Sequence, residues 1–254
     1  INLTDLKPDL GYLRKILRIG VPASIEGTGR ALSINALLIV VGLFSTSVVA
    51  AFGIGTRVFS VIFLPAIAVA RGVETMTGQN IGAQKYDRAQ KANYVAAKAL
   101  FAILSLAGVA IFLVPTPIVA VFTNDQAVLN VGAEFLRFVA LSFGFIGIQR
   151  AFTGGFRGAG KTLIAAAISI IALAGVRLPT AYLASQGVLP TDLWFLGQPD
   201  ARGIWIAFFV SNVVGAIIAY MWFRQGTWRD GDVRTTPGTD GIELTDTDAS
   251  AGGD

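Results

Sequence analysis

Two residues of opposite charge lie four positions apart in an apolar stretch near the start of the chain. In a helix, Glu26 and Arg30 occupy one face and can reach each other, because residues four apart are neighbours on the helix surface. Charged groups inside a bilayer are costly, so they indicate either function or pairing. Glu26 is therefore a candidate acceptor for a proton or a cation. The alternative, which the sequence leaves open, is a structural ion pair.

Other charges also fall within or near apolar stretches. Arg57, Arg137 and Arg177 are of this kind, and Glu134 precedes Arg137 by three positions, which predicts a second ion pair. Arginines near the ends of membrane helices usually extend toward the interface, so we do not assign them to substrate binding.

Residues 155–162 (GFRGAGKT) fit the phosphate-loop pattern GxxxxGK followed by Ser or Thr, whose glycine amides cradle phosphates. Such a loop follows a buried strand, whereas this segment follows a long apolar run that predicts a membrane helix. No later apolar run ends in the acidic residue that a nucleotide site also needs. We interpret the segment as a helix exit and expect no ATP binding.

The composition excludes most enzyme chemistry. The chain has no cysteine and no histidine, so it has no thiolate or imidazole metal site, no Ser/His/Asp triad and no disulfide. We predict that the protein is not an enzyme and binds no metal or cofactor. Hydrophobic residues make up 54% of the chain, charged residues make up 14%, and the mean hydropathy is +0.64, which predicts a membrane protein.

The elements that position these residues are predicted to be six membrane-spanning helices, since a helix needs roughly 20 apolar residues to cross a bilayer. The fold class is therefore an all-α integral membrane protein, with residues 1–229 as one transmembrane unit. The predicted spans are residues 17–43, 48–73, 92–114, 128–153, 161–186 and 203–223.

Basic residues cluster on alternate connectors, which predicts that those connectors are cytoplasmic. These residues are Lys7, Arg14, Lys15, Arg18, Lys85, Arg88, Lys91, Arg157, Lys161, Arg224 and Arg229. Both ends of a multi-pass protein of the cell membrane are then cytoplasmic. Residues 230–254 contain seven acids, one arginine and few apolar residues, so we expect a disordered cytoplasmic tail.

One sequence repeats within the chain: residues 77–85 (TGQNIGAQK) recur as residues 153–161 (TGGFRGAGK). Each copy follows an apolar run, and glycines there allow left-handed helix ends. We predict that two helices leave the membrane on the same side. The candidate helix-exit and gating residues are Gly78, Gln79, Asn80, Gly82, Arg157 and Gly158.

Prolines interrupt two of the predicted spans. Pro22 and Pro65 are expected to bend their helices, and we include both among the gating candidates. Four phenylalanines are further candidates for lining a cavity that accepts organic cations, with lipid-facing positions as the alternative. They are Phe63, Phe143, Phe145 and Phe152.

The order of these signals resembles the C-terminal lobe of the multidrug and toxic compound extrusion (MATE) transporters, over about residues 8–226. The shared motifs are residues 7–9 (KPD), 17–22 (LRIGVP), 48–54 (VVAAFGI), 63–65 (FLP), 78–83 (GQNIGA) and 156–160 (FRGAG), with Glu26 and Arg30 four and eight positions after Pro22. The resemblance implies two six-helix lobes, twelve helices in all, and alternating access driven by Na⁺ or H⁺.

This chain departs from the family pattern at the expected ion site. One branch of the family has a coupling carboxylate where this chain has Arg30, and an aspartate where it has Ile146. Another branch has its essential aspartate in the N-terminal lobe. We favour that second branch, with Glu26 shaping the central cavity or holding helices together.

The resemblance implies a secondary antiporter that exports organic compounds, with cations as the expected class, in exchange for inward Na⁺ or H⁺. The alternatives are a flippase for lipid-linked oligosaccharides of the same superfamily, a membrane component that uses ATP, and a scaffold that transports nothing. The expected partners are membrane lipids, small organic substrates and an N-terminal six-helix lobe or a second copy of this chain. We expect no nucleic acid.

Overall fold

The computed structural model describes residues 10–186 and 201–230. Those residues form ten α-helices and one π-helical segment, without a β-strand among them. The helices are α1 (Leu10–Val41), α2 (Thr46–Ile62), α3 (Leu64–Gly82), α4 (Tyr86–Leu113), α5 (Pro115–Ala120), α6 (Gln126–Ala140), α7 (Phe143–Gly158), α8 (Thr162–Ile170), α9 (Leu178–Ser185) and α10 (Arg202–Arg224), with the π-helical segment Ile171–Arg177 between α8 and α9.

The helices confirm the predicted all-α membrane fold. Four stretches are long and apolar enough to cross a membrane: Gly20–Val41, Tyr86–Leu113, Thr162–Ser185 and Arg202–Arg224. Two bent pairs also qualify, α2 with α3 at 44° and α6 with α7 at 51°, which gives six spans if each pair is one. The predicted acidic tail, apart from Asp230, lies outside the described residues.

The two bends have different causes. Pro65 is the second residue of α3. It has no N–H to donate to the end of α2, so α2 ends before Phe63 and α3 begins as a new helix in a different direction. The bend predicted at Pro65 is therefore confirmed. The bend between α6 and α7 contains no proline and was not predicted. There the backbone amide of Ser142 donates to the Val139 carbonyl at 2.9 Å, and the Ser142 hydroxyl donates to the same carbonyl at 2.7 Å.

Pro22 does not interrupt its helix. The 32-residue α1 is continuous through this position, and the bend expected at Pro22 stays a prediction. A single proline removes one hydrogen bond, and the turns on either side keep theirs.

The helix α7 lies at the centre of the bundle and packs against α3, α4 and α10. Glycines allow its backbone to approach α3 closely: a Cβ built on Gly158 would be 2.1 Å from the Glu74 carbonyl oxygen, and one on Gly154 would be 2.6 Å from that of Ala70. Small residues at such crossings are typical of membrane helices, where close van der Waals packing drives association.

Aromatic side chains fill the space around α7 and its neighbours. The largest fully buried ones are Trp205, Trp228, Phe135, Phe143, Phe152, Phe156 and Phe223. Many large aliphatic side chains instead lie on the outer surface of the helices, among them Ile39 at 73% exposed and Leu106 at 73%. An apolar exterior is expected where the solvent is lipid.

The repeated sequence closes two helices with the same geometry, and this confirms the predicted helix exits. Each helix end has the same three backbone hydrogen bonds. After α3, the amide of Ala83 donates to Gln79, that of Gln84 to Ile81 and that of Lys85 to Asn80. After α7, the amide of Ala159 donates to Gly155, that of Gly160 to Arg157 and that of Lys161 to Phe156. In both copies the second of these residues is left-handed, with φ 59° at Gln84 and 72° at Gly160. Residues 155–162 therefore leave a helix, not a strand.

The alignment of the repeated sequence, which pairs Thr77 with Thr153, also aligns the helices on either side of it. We call residues 46–113 the first repeat and residues 126–185 the second repeat. Each consists of a bent helix pair followed by one long helical stretch. The two exits lie side by side, since a Cβ on Gly78 would be 3.1 Å from the Gly158 carbonyl oxygen.

Candidate functional site

Glu26 is the centre of a polar cluster inside the bundle, and only 6% of the residue is exposed. Its Oε1 accepts hydrogen bonds from Nη2 of Arg30 at 2.9 Å, Nη2 of Arg157 at 2.5 Å and Oγ of Ser169 at 3.2 Å. Its Oε2 accepts from Nε of Arg157 at 3.2 Å. The carboxylate is thus held by a bidentate arginine, a second arginine and a hydroxyl, which is a strong arrangement for a buried charge.

Three helices supply this cluster, which we call the Glu26 cluster. Helical spacing on α1 brings Glu26 and Arg30 together, and this part of the site was predicted from the sequence. Arg157 comes from the last turn of α7, and Ser169 comes from α8. The cluster therefore attaches α1 to the second repeat.

Arg150 belongs to the same region and was missed by the sequence analysis. It lies on α7 two turns before Arg157, on the same face of the helix. Its guanidinium makes no hydrogen bond or ion pair to the described residues, and it is half-buried. Arg150 escaped notice because no acidic residue lies near it along the chain.

The other predicted site residues are distributed differently. Gly78, Gln79, Asn80 and Gly82 form the end of α3, where Gln79 and Asn80 supply cap carbonyls and the Asn80 amide donates to the Met76 carbonyl at 2.7 Å. Their described contacts are within the helix end and with α7. Of the two helix exits, only that of the second repeat contributes a residue, Arg157, to the Glu26 cluster.

The predicted pair of Glu134 with Arg137 was wrong. Glu134 accepts a hydrogen bond from Nε of Arg202, at the start of α10, 68 positions away along the chain. The sequence spacing allowed a local pair, but the fold brings a distant arginine to the carboxylate.

A second polar network surrounds Arg177 at the end of the π-helical segment. Its Nε donates to Ser211 Oγ at 2.8 Å and its Nη2 to Asn212 Oδ1 at 2.7 Å, while Asn212 Nδ2 donates to Ser142 Oγ at 2.8 Å. The guanidinium carbon lies 4.1 Å from the centre of the Phe208 ring. This network links α10 to the break between α6 and α7, which indicates a structural role.

The phenylalanines predicted to line a cation cavity are mostly packed inside the lobe. Phe143 and Phe152 are 0% and 1% exposed, and Phe143 contacts the rings of Phe59 and Phe63 at 5.5 and 5.4 Å between centroids. The predicted cavity was therefore wrong for Phe143. Phe145 and Phe152 do border a groove between α4, α7 and α10, together with Tyr94, Lys98, Phe101 and Tyr220.

Comparisons with known proteins agree with this architecture. The MatE family model matches residues 22–183. The chain is 27% identical over 224 residues to the probable multidrug resistance protein YoeA of Bacillus subtilis, covering 88% of this chain and 46% of that protein. It is also 27% identical over 237 residues to the probable multidrug resistance protein NorM of Thermotoga maritima, covering 90% and 47%.

A solved structure of a multidrug resistance MATE family transporter of the MOP superfamily, in an outward-facing conformation, superposes with a TM-score of 0.79 at 22% identity. The match covers 89% of this chain and 49% of that structure. The chain thus spans about half the length of the relatives and structures that it matches.

Proposed function

The chain belongs to the MatE family, and from this membership we propose that it forms one lobe of a secondary antiporter. This transporter exports organic compounds across the cell membrane while Na⁺ or H⁺ moves inward, and both ends of this segment face the cytoplasm. The observation that supports the proposal best is the Glu26 cluster, a buried carboxylate that joins α1 to α7 and α8. Ionisable groups at such positions in membrane proteins are usually functional.

The proposed coupling uses the attachment of α1. While Glu26 is ionised, Arg30, Arg157 and Ser169 hold it, and α1 stays against the second repeat. A proton or a sodium ion that neutralises the carboxylate weakens these bonds and frees α1 to move. Ion binding then favours one conformation over another, which is the differential affinity that coupling requires.

A complete transport pathway in this proposal needs a second six-helix lobe. The matched relatives are about twice as long as this chain, and either more of the same polypeptide or a second copy would supply the partner. Substrate crosses between the two lobes. No ATP is used, because residues 155–162 form a helix exit.

The test is gradient-driven transport by the purified protein in liposomes. Dyes are loaded inside, a Na⁺ or H⁺ gradient is imposed, and efflux is followed by fluorescence for ethidium and for carboxyfluorescein. Glu26→Gln is expected to lower gradient-driven flux by about tenfold or more, the size of a typical coupling between two sites. The control is Glu74→Gln, which removes a half-buried carboxylate outside the Glu26 cluster, paired with Arg71 at 3.5 Å.

Three results would count against the proposal. Absence of flux for every dye under every cation gradient contradicts an antiporter and favours the scaffold. Equal losses of folded protein and of transport in Glu26→Gln assign the cluster to structure alone. A flux that Glu74→Gln reduces as strongly as Glu26→Gln would remove the special role of the buried carboxylate.

A further inference from the structure

Positive charge exceeds negative charge in the Glu26 cluster. Arg30 and Arg157 both bind the Glu26 carboxylate, and Arg150, seven positions before Arg157 on the same face of α7, adds a third positive charge to this side of the helix. Unbalanced charge inside a membrane bundle is costly. An added negative group would offset that cost.

Arg150 is the residue that the fold itself does not explain. Arg157 lies in the last turn of α7, where a cation complements the helix dipole, and it is paired with Glu26. Arg150 lies in the middle of the same helix, away from either helix end, and its guanidinium makes no hydrogen bond to the described residues. A fork of unused N–H donors in such a place matches the geometry of a carboxylate or phosphate.

We infer that Arg30, Arg150 and Arg157 recognise a carboxylate or phosphate group, so that the exported compounds are organic anions. This inference rests on the proposed function and specifies its substrate class. It replaces the cationic class expected from the sequence, whose support from Phe143 is lost because that ring is buried. The side chains of Arg30 and Arg157 are 33% and 19% exposed, so both remain open to a ligand.

The site is divided between two elements, which gives it a place in the transport cycle. Arg30 belongs to α1, whereas Arg150 and Arg157 belong to α7. The three guanidinium groups stay together only while Glu26 holds α1 in place. An ion that neutralises Glu26 weakens its bonds to Arg30 and Arg157, so α1 can carry Arg30 away from the two arginines of α7.

The experiment measures binding of carboxyfluorescein to the purified protein in detergent by fluorescence anisotropy. Arg150→Gln is expected to weaken binding about tenfold or more, because charge-assisted hydrogen bonds are lost. Arg150→Lys retains the charge without the fork and should lose less. Arg71→Gln is the matched control, since Arg71 is also on a membrane helix but its side chain is 74% exposed. None of these changes should lower the melting temperature.

A second assay identifies the source of the anionic group. Labelled phosphatidic acid in phosphatidylcholine vesicles reports lipid translocation through quenching by dithionite, and carboxyfluorescein efflux reports a free anion. Loss of either activity in Arg150→Gln, with Arg71→Gln unaffected, supports the inference. Loss of phosphatidic acid translocation assigns the anionic group to a lipid, and loss of carboxyfluorescein efflux assigns it to a soluble compound.

The failures of the two proposals are distinguishable. Ethidium efflux that Arg150→Gln leaves unchanged, with no binding of carboxyfluorescein or phosphatidic acid, overturns the anion site and leaves the antiporter intact. Carboxyfluorescein binding that depends on Arg150, without gradient-driven flux of any dye, overturns the antiporter and leaves the site. If Arg150→Gln and Arg71→Gln weaken carboxyfluorescein binding equally, the binding is due to general surface charge. That result also overturns the anion site.

Discussion

The two repeats share a backbone plan and differ in what their polar side chains do. In the first repeat, Asn93 turns inward: its amide donates to Thr77 Oγ1 and to the Ala89 carbonyl, both at 2.8 Å. The aligned position in the second repeat is Ser169, which donates to Glu26 on α1. One position thus closes its own repeat, while its counterpart connects to another helix.

Charge differs in the same way. Ile81 and Glu74 of the first repeat align with Arg157 and Arg150 of the second. An apolar residue and an acid are therefore replaced by two of the three arginines of the Glu26 cluster. Backbone hydrogen bonds common to both copies therefore determine the helix ends, whereas side-chain substitutions create the candidate site in only the second repeat.

The last helical stretch also differs between the repeats. The helix α4 is continuous, whereas the second repeat contains the π-helical segment Ile171–Arg177 before α9. Pro179, the second residue of α9, has no N–H to donate to the turn before it, which accounts for the widened helix. Arg177, at the end of this segment, aligns with Phe101 and binds Ser211 and Asn212.

The largest expected effect on stability separates Gly158 from its counterpart Gly82. In Gly158→Ala, the new Cβ meets the backbone oxygen of Glu74 at 2.1 Å, so α3 and α7 must separate. We expect a loss of about 3 kcal/mol, in the upper range for overpacking. Gly82→Ala has no heavy atom within 4 Å of its Cβ and should be close to neutral.

Thermal unfolding in detergent, followed by tryptophan fluorescence, measures this difference. Equal melting temperatures for Gly158→Ala and Gly82→Ala would mean that the close crossing of the repeats does not limit stability. That result would also remove the packing reason for a glycine in the second copy of the motif.

A smaller effect compares Asn93 with Ser169. Asn93→Ala removes two buried hydrogen bonds and leaves a cavity beside Gly155, so we expect a loss of about 2 kcal/mol. Ser169→Ala removes one of the donors to Glu26 and leaves both arginines, and it should cost about 1 kcal/mol or less. If Ser169→Ala lowers the melting temperature more than Asn93→Ala, the Ser169 contact stabilises the fold more than the Asn93 contact does. The contrast drawn between the two positions would then be wrong.

The parts predicted from the sequence are those controlled by local chemistry. The helix exits follow from the repeated motif, the bend at Pro65 follows from a missing N–H, and the contact of Glu26 with Arg30 follows from helical spacing. In contrast, Arg157 and Ser169 reach Glu26 only through the packing of α7 and α8 against α1, which lies 131 to 143 positions away. The break at Ser142 has no proline and depends on Asn212 and Arg177, so no local pattern marks it.

The smallest effect concerns the left-handed residue at each helix exit. Gln84 has φ 59°, a conformation that is strained for a residue with a Cβ, whereas the aligned Gly160 adopts φ 72° without that strain. Gln84→Gly should therefore stabilise the protein by about 1 kcal/mol, and Gly160→Gln should destabilise it by about the same amount.

The two changes are expected to be opposite in sign and similar in size, measured as shifts in melting temperature. Both caps have the same three hydrogen bonds, so the backbone requirement is the same and only the side chain differs. If Gln84→Gly instead destabilises the protein, the Gln84 side chain contributes to the first exit in a way that the second exit lacks. The two helix ends would then be distinguished by function, and the difference between the repeats would extend from the Glu26 cluster to the membrane surface.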